Sequence, residues 1–488
     1  MRFALVLTAL LVATTAGCFS NGPDTPSDPG DDEPEADSGT WLSDGSGNAR
    51  AAASPLSEMA AQWISIGARD GREPTIQIDS TGAVFYAARD YTGGGGPLTQ
   101  TETPVMRSLD GGANWTEVSP MLPTGDRNPP ISNDPMIFID PWTDRLFQIE
   151  QVDVACHWMV WSDDQGATWG TNPRACTSPP ADHQTIAAGP SALGLPLPVY
   201  PNVVYVCVNQ IAASSCSKSL DGGQTLGTYH VVFPGVGVDC PDGSPGSVQG
   251  GLHGHVLVGP DGTVYLPRGY CGLPFVGISR DDGLTWSRVA VSDTPHRGAD
   301  PNMAFDASGR VYYTWLADDG RLRLSWSTDS GATWSAPVIA SPPELHATNL
   351  PAIAAGDDGR IALAYMGLEQ ELPDDDADTN LTWNGYLTVS LDAASADPTF
   401  ATVRANPDGN VLKRGYCTAG RCGLVRDFLD VAIAPDGSAW GAFIDACLGP
   451  AEPRVRGEGD CNVDSAEYGE GNGNLAYAAR TSGVTLRS

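Results

Sequence analysis

Residues 327–334 read STDSGATW, and Ser, Asp, Gly and Trp recur at the same offsets in four other places. The other copies are SLDGGANW from Ser108, SDDQGATW from Ser162, SLDGGQTL from Ser219 and SRDDGLTW from Ser279, with Leu226 in place of Trp in the third. A worn copy, SLDAASADPTF, starts at Ser390. Successive starts lie 54, 57, 60, 48 and 63 residues apart, a period that marks a repeat architecture. Within each octet the Asp side chain can accept backbone N–H groups of its own turn. The Gly permits a left-handed backbone, and the Trp offers a large apolar surface. Similar groups spread around a rim do not converge on one substrate atom, so the octet reads as a bracing turn.

A second repeated element precedes each octet: a short apolar strand, an Asp/Gly turn and another strand. Examples are PTIQIDSTGAVFYAA from Pro74, PMIFIDPWTDRLFQI from Pro135, PNMAFDASGRVYYTW from Pro301 and PAIAAGDDGRIALAY from Pro351. Counting HVLVGPDGTVYLP from His255, VAIAPDGSAWGAF from Val431 and a stretched version over 184–208, there are seven hairpins. NLAYAARTSG, from Asn474, reads as one more third strand whose octet has decayed. Hairpin, third strand, octet and fourth strand make a four-stranded antiparallel unit of 45–60 residues, the size of a propeller blade. The expected fold is therefore an all-β propeller. Seven blades are favoured, and six remain if one hairpin serves another role. QWISIG (Gln62 to Gly67) is expected to close the ring by pairing into the last blade.

The pattern S-x-D-x-G-x-T-W resembles the Asp-box, or BNR repeat, of the sialidase superfamily of β-propellers. The resemblance covers 62–488. It implies that Asp110, Asp164, Asp221, Asp281 and Asp329 are structural, each in a tight turn between the third and fourth strands of a blade. It also implies that ligands are taken at the opposite end of the central channel.

The 488 residues carry a formal charge of −32, and Lys218 and Lys413 are the only lysines. Such a surface repels nucleic acid and anionic lipid headgroups, which excludes both as partners of the folded body. Arg2, the apolar run Phe3 to Val12 and TTAGC ending at Cys18 read as an export signal of lipoprotein type, 1–18. Cys18 is the expected lipidation site. Residues 19–61, rich in Pro, Gly, Ser and Asp, read as a disordered acidic tether. The body, 62–488, is then expected outside the cell as a monomer, held at the surface through the lipid alone, or secreted if Cys18 carries none. Ten further cysteines suit an oxidising compartment, with local pairs expected for Cys207 and Cys216, Cys417 and Cys422, and Cys447 and Cys461.

Aligning the hairpins on their turn glycines aligns one position at the start of each first strand: Glu73, Asp134, His183, His253, Asp300, Leu350 and Phe428. Five of these seven are ionisable, where a core-facing strand offers few. Asp182 and Asp427 stand just before two of them. Two histidines and several carboxylates at one funnel suit acid–base chemistry, ligand binding or a divalent cation held by Asp134, His183, His253 and Asp300. Arg89, Asp90 and Glu102 on the first long loop, Arg268 and Tyr270 after the fourth hairpin, and Trp315 as a stacking surface complete the candidates.

The sialidase resemblance places Arg72, in GREPTI, at the first substrate-binding arginine and Arg89, in YAARD, at the second. It implies catalysis by Tyr–Glu and Asp groups. The chain departs from that pattern where the acid/base Asp is expected, since PLTQTETPVM offers only Glu102, and no third arginine can be fixed. Glu73, Asp90 and Glu102 are therefore the catalytic candidates beside the two arginines. Three uses stay open: an exo-glycosidase acting on an anionic sugar, a non-catalytic glycan- or protein-binding propeller, and a metal-dependent site.

Overall fold

The computed structural model describes residues 39–51, 55–69, 72–88, 103–120, 134–152, 156–171, 175–176, 181–210, 213–235, 240, 252–372, 381–415, 417, 422, 425, 427–447 and 475–487. The chain divides into two units, 1–35 and 36–488, and everything below concerns the second.

Seven antiparallel sheets follow one another along the chain. The first strands of the blades are Thr75–Ile78, Met136–Ile139, Ala181–Gly189, Leu257–Val258, Asn302–Phe305, Ala347–Ala355 and Asp430–Ile433. In every sheet the hydrogen-bonded order is the order along the blade, first strand to fourth. The last blade is completed by Ala60–Arg69, which pairs with Leu475–Ser482 and so joins the two ends of the propeller. That is the closure expected of QWISIG, and Leu475–Ser482 is the expected third strand without an octet. The sixth blade carries two additional strands, Lys413–Arg414 and Trp41–Asp44. Trp41–Asp44 pairs with Thr399–Thr402, so folded chain starts before Gln62, within the stretch read as tether. Its alternating Trp41 and Ser43 give too short a pattern to stand out beside the surrounding Ser, Gly and Asp.

The octets are turns between third and fourth strands, as expected. In the blade-5 copy Ser327 Oγ donates to Asp329 Oδ1 (2.8 Å) and accepts the Gly331 N–H (2.9 Å). Asp329 in turn accepts the Thr333 N–H (2.8 Å) and hydroxyl (2.6 Å), which hold its carboxyl at about 2. The same bonds recur at Asp164, Asp221 and Asp281, and at Asp110 with Asn114 in the Thr position. In the worn copy Asp392 still takes Ser390 Oγ and, across a longer turn, the Thr399 N–H. Every octet aspartate is thus saturated by its own turn. Gly331 has φ +80°, and a Cβ there would lie 2.8 Å from Ile278 of the preceding blade, so the turn also seats one blade on the next.

Blades are further joined near the axis by side chains that cap the neighbour's backbone. Asp430 Oδ2 accepts the Ile76 N–H (2.9 Å) across the closure, Thr75 Oγ1 accepts that of Ile137 (3.2 Å), and Asn302 Nδ2 donates to the Pro351 carbonyl (3.0 Å). Apolar clusters fill the space between sheets, as around Tyr265, Val276 and Trp315. Disulfides join Cys207 to Cys216 and Cys417 to Cys422 as expected, and Cys240 to Cys271, which spacing did not suggest. Cys18 and Cys461 lie outside the described residues.

The tightest packing is at Gly254, where a Cβ would sit 1.6 Å from the Pro301 carbonyl oxygen of the next blade. Gly254→Ala is expected to lower stability by about 4 kcal/mol or to abolish folding. Gly309→Ala, at φ +82° with open space around it, should cost about 1 kcal/mol. Thermal unfolding of both variants checks this, and equal midpoints would contradict the packing.

Candidate functional site

The aligned column is also a column in backbone conformation. Glu73, Asp134, His183 and Leu350 all take a left-handed backbone, with φ between +50° and +54°. Such a conformation costs a non-glycine residue of order 1 kcal/mol and persists where the surroundings impose it. At His183 and Leu350 it coincides with a break in pairing register, between Asp182 and Gln184 and between Asn349 and Ala352. A bulge near the start of an inner strand re-aims the side chain it carries. Asp134 Oδ2 accepts the His183 N–H (3.0 Å), which locks two left-handed positions of adjacent blades to each other.

The side chains so placed are buried and crowded. One carboxylate oxygen each of Glu73, Asp134 and Asp427 lies within 4.8 Å of the others, and all three residues are buried. Asp182 hydrogen-bonds Asp134, and its carboxyl is pushed up by burial and then by the Asp134 charge. Asp300 faces His183, with Oδ2 3.4 Å from Nε2. Burial, followed by the charges of Asp427 and Asp134, drives the Asp300 carboxyl well above the usual range, toward its protonated form. Five carboxyl groups from five blades therefore interact near one end of the channel.

Histidines line the same region. The His183 and His253 rings meet edge to face at 5.2 Å, and Phe428 packs against both His183 and His255. His253 Nδ1 lies 2.8 Å from the Gly254 carbonyl, an acceptor only, so Nδ1 carries the proton and Nε2 presents a lone pair. Burial and the neighbouring His183 push His253 well below its ordinary range, and His255 down to about 3. Both are neutral imidazoles at physiological pH.

Arginine plays a smaller part. Arg268 is buried, donates to Asn209 Oδ1 (2.6 Å) and to Ser214 Oγ, and is pushed down to about 10 by burial against the opposing pull of Asp300. Arg72 is buried as well. Tyr270 belongs to a hydrophobic cluster: its ring packs on Phe233 and Phe275 and its hydroxyl donates to the Pro234 carbonyl (3.0 Å). Trp315 is fully buried between blades, so it cannot serve as a stacking platform. Arg89, Asp90 and Glu102 lie outside the described residues.

The expected cation set is not the one the fold assembles. Among the described residues, the only group of three His, Cys, Asp or Glu side chains within coordination reach is Glu73, Asp134 and Asp427, rather than Asp134, His183, His253 and Asp300. The residue before Phe428 contributes, whereas the two histidines face one another and His183 faces Asp300. Asp427 was legible as a flanking acid, but which flanking residue turns inward is decided by the packing of the blades. His255, two residues beyond the column, gave no signal apart from its residue type.

No protein-family model matches the chain, and no curated protein does. Solved structures with a similar arrangement include the intramolecular trans-sialidase from Ruminococcus gnavus (14% identity, 83% of this chain and 93% of that one, TM-score 0.39). An alpha-L-arabinofuranosidase from Fusarium graminearum matches at 12% identity over 70% and 97% of the two chains, TM-score 0.39. The NanB sialidase from Streptococcus pneumoniae matches at 13% over 85% and 68%, TM-score 0.38. At this level of similarity they assign no residue, ligand or activity to the chain.

The buried acids make stability pH-dependent in a stated direction. Asp430, which bridges the closure, is pushed up to about 7 by burial, from an ordinary value of 3.8. Between pH 4 and 7 the native state therefore holds a proton that the unfolded chain has released, and stability falls as pH rises through that window. Asp430→Asn removes this titration, so its deficit in melting midpoint against the wild type should shrink or reverse from pH 4 to pH 7. A deficit independent of pH would contradict the assignment.

Proposed function

We propose that the chain is an exported Asp-box propeller of the sialidase superfamily, anchored through Cys18, that binds an extracellular glycan at the channel mouth formed by its inner-strand starts. The observation that carries this reading is the convergence of Glu73, Asp134, Asp182, Asp300 and Asp427 with His183 beside them. Carboxylates accept hydrogen bonds from sugar hydroxyls, and a carboxyl driven toward its protonated form donates one. Asp300, driven toward its protonated form, is the proton donor. Asp134 and Glu73 are the acceptors.

The same cluster argues for a neutral sugar over a sialoside. Crowded buried carboxylates repel a ligand carboxylate, and Arg268 already serves Asn209 and Ser214. The ligand class is therefore a neutral, polyhydroxylated glycan. A second reading rests on the close approach of Glu73, Asp134 and Asp427, whose oxygens suit a hard divalent cation such as Ca²⁺. In that reading the cation binds the sugar hydroxyls, and the three acids hold the cation.

A panel of neutral glycans and a sialoside, screened for binding and turnover with and without chelator, tests both readings. Neutral glycans should bind, and Asp300→Asn should weaken them about tenfold, the loss of one hydrogen bond from a protonated carboxyl. Loss of binding on chelation selects the cation reading. Sialoside turnover abolished by Arg72→Ala, or silence across the panel by folded protein, would overturn the proposal.

A further inference from the structure

The face opposite the mouth carries an unexplained asymmetry. Turns between first and second strands and turns between third and fourth strands lie on the same face of a propeller, so the hairpin turns share the octet face. Inter-blade bonds confirm the proximity: Ser80 N–H donates to Asp144, Gln165 Nε2 to Asp79 and Ser191 Oγ to Asp282. Eight large apolar side chains among the described residues are exposed, and seven of them sit in these turns. Leu109, Trp142, Leu220 and Leu284 spread over blades 1 to 4. Leu193, Leu195 and Val199 crowd the long hairpin turn of blade 3. Blades 5 to 7 contribute none.

The long turn is built to display them. From Gly189 to Asn202 it reads GPSALGLPLPVYPN, without a charge in a chain of net charge −32. Asp282 of the next blade accepts Ser191 Oγ (2.6 Å) and the Ala192 N–H (2.7 Å) at one end. Asp140 of the preceding blade accepts the Tyr200 hydroxyl and Asn202 Nδ2 (2.7 Å) at the other. A turn fixed at both ends loses little entropy on docking, yet Val199 is left 58% exposed. Scattered exposed apolar groups need no explanation, but seven gathered on one face of consecutive blades do.

We infer that this half of the octet face rests on a lipid surface of zwitterionic or uncharged headgroups. An apolar arc spanning four blades suits an extended partner surface, and Trp142 among leucines is the composition of an interfacial contact. The inference draws on the anchor at Cys18. The chain from there to Gly39 is about 20 residues and reaches at most about 70 Å, so the body stays within reach of the bilayer. A second copy is disfavoured by the like charge of two bodies. Anionic lipid is disfavoured by the octet aspartates on the same face. Resting this way, the protein turns its mouth toward the medium.

Bromine-labelled acyl chains test the contact. The whole chain is reconstituted in phosphatidylcholine vesicles with and without the label, and tryptophan emission is compared with that of Trp142→Phe. Quenching that is mostly lost in Trp142→Phe, and reduced in the Leu193→Ser/Leu195→Ser variant, is expected. Adding phosphatidylglycerol should weaken it at 0.1 M salt and less so at 1 M, where screening shortens to about 3 Å. Flotation of the chain reports the anchor separately. If it does not float, the same comparison in excess vesicles still applies. Absence of label-dependent quenching, quenching equal in Trp142→Phe, or self-association lost in Leu193→Ser/Leu195→Ser would overturn the inference.

Discussion

Ala60–Arg69 reaches across to Leu475–Ser482, and Asp430 reaches across to Ile76, and through these bonds seven sheets become a ring. Everything at the channel mouth follows from that closure. An open fan of blades would leave the inner strands facing water, and their first residues would be ordinary solvated acids. Closed, the ring brings Glu73 of blade 1, Asp134 of blade 2, Asp300 of blade 5 and Asp427 of blade 7 into mutual contact or strong electrostatic coupling. Residues hundreds of positions apart become neighbours because the chain's two ends share a blade.

The two faces are built by opposite rules. On the octet face each aspartate is satisfied inside its own turn, by a serine two residues before it and the backbone and side chain four residues after. Its charge is spent on local structure and its carboxyl is held low. At the mouth the acids are crowded, Asp182 and Asp300 are pushed up by burial, and Glu73, Asp134, His183 and Leu350 stand in a left-handed backbone. Burying unlike charges is tolerable when they are paired, whereas burying like charges destabilises the fold. Buried, interacting acids are gathered at one end of the channel, and a concentration of groups that cost the fold stability is the reason this end is the candidate site.

Much of this was readable from the residues. The octet period marked the repeat, the seven hairpins counted the blades, and the hairpin glycines aligned a column of which four members share a backbone conformation and several lie together, as His183 does with His253, Asp300 and Phe428. What escaped was decided by long-range pairing. Trp41–Asp44 is a strand only because Thr399–Arg404 offers it an edge. Tyr270 follows a hairpin just as a mouth residue would, but the register of its strand turns it onto Phe233 and Phe275. Asp427 enters the acid cluster and His253 turns to His183 through contacts between blades that no single stretch of sequence displays.

The central claim is that the acid-rich mouth, and not the octet face, receives the ligand. A crystal structure of the whole chain soaked with a neutral oligosaccharide tests it most directly. The account predicts sugar density in contact with the carboxyl groups of Asp134 and Asp300 beside His183. Density confined to the octet turns, with the mouth unchanged, would contradict it.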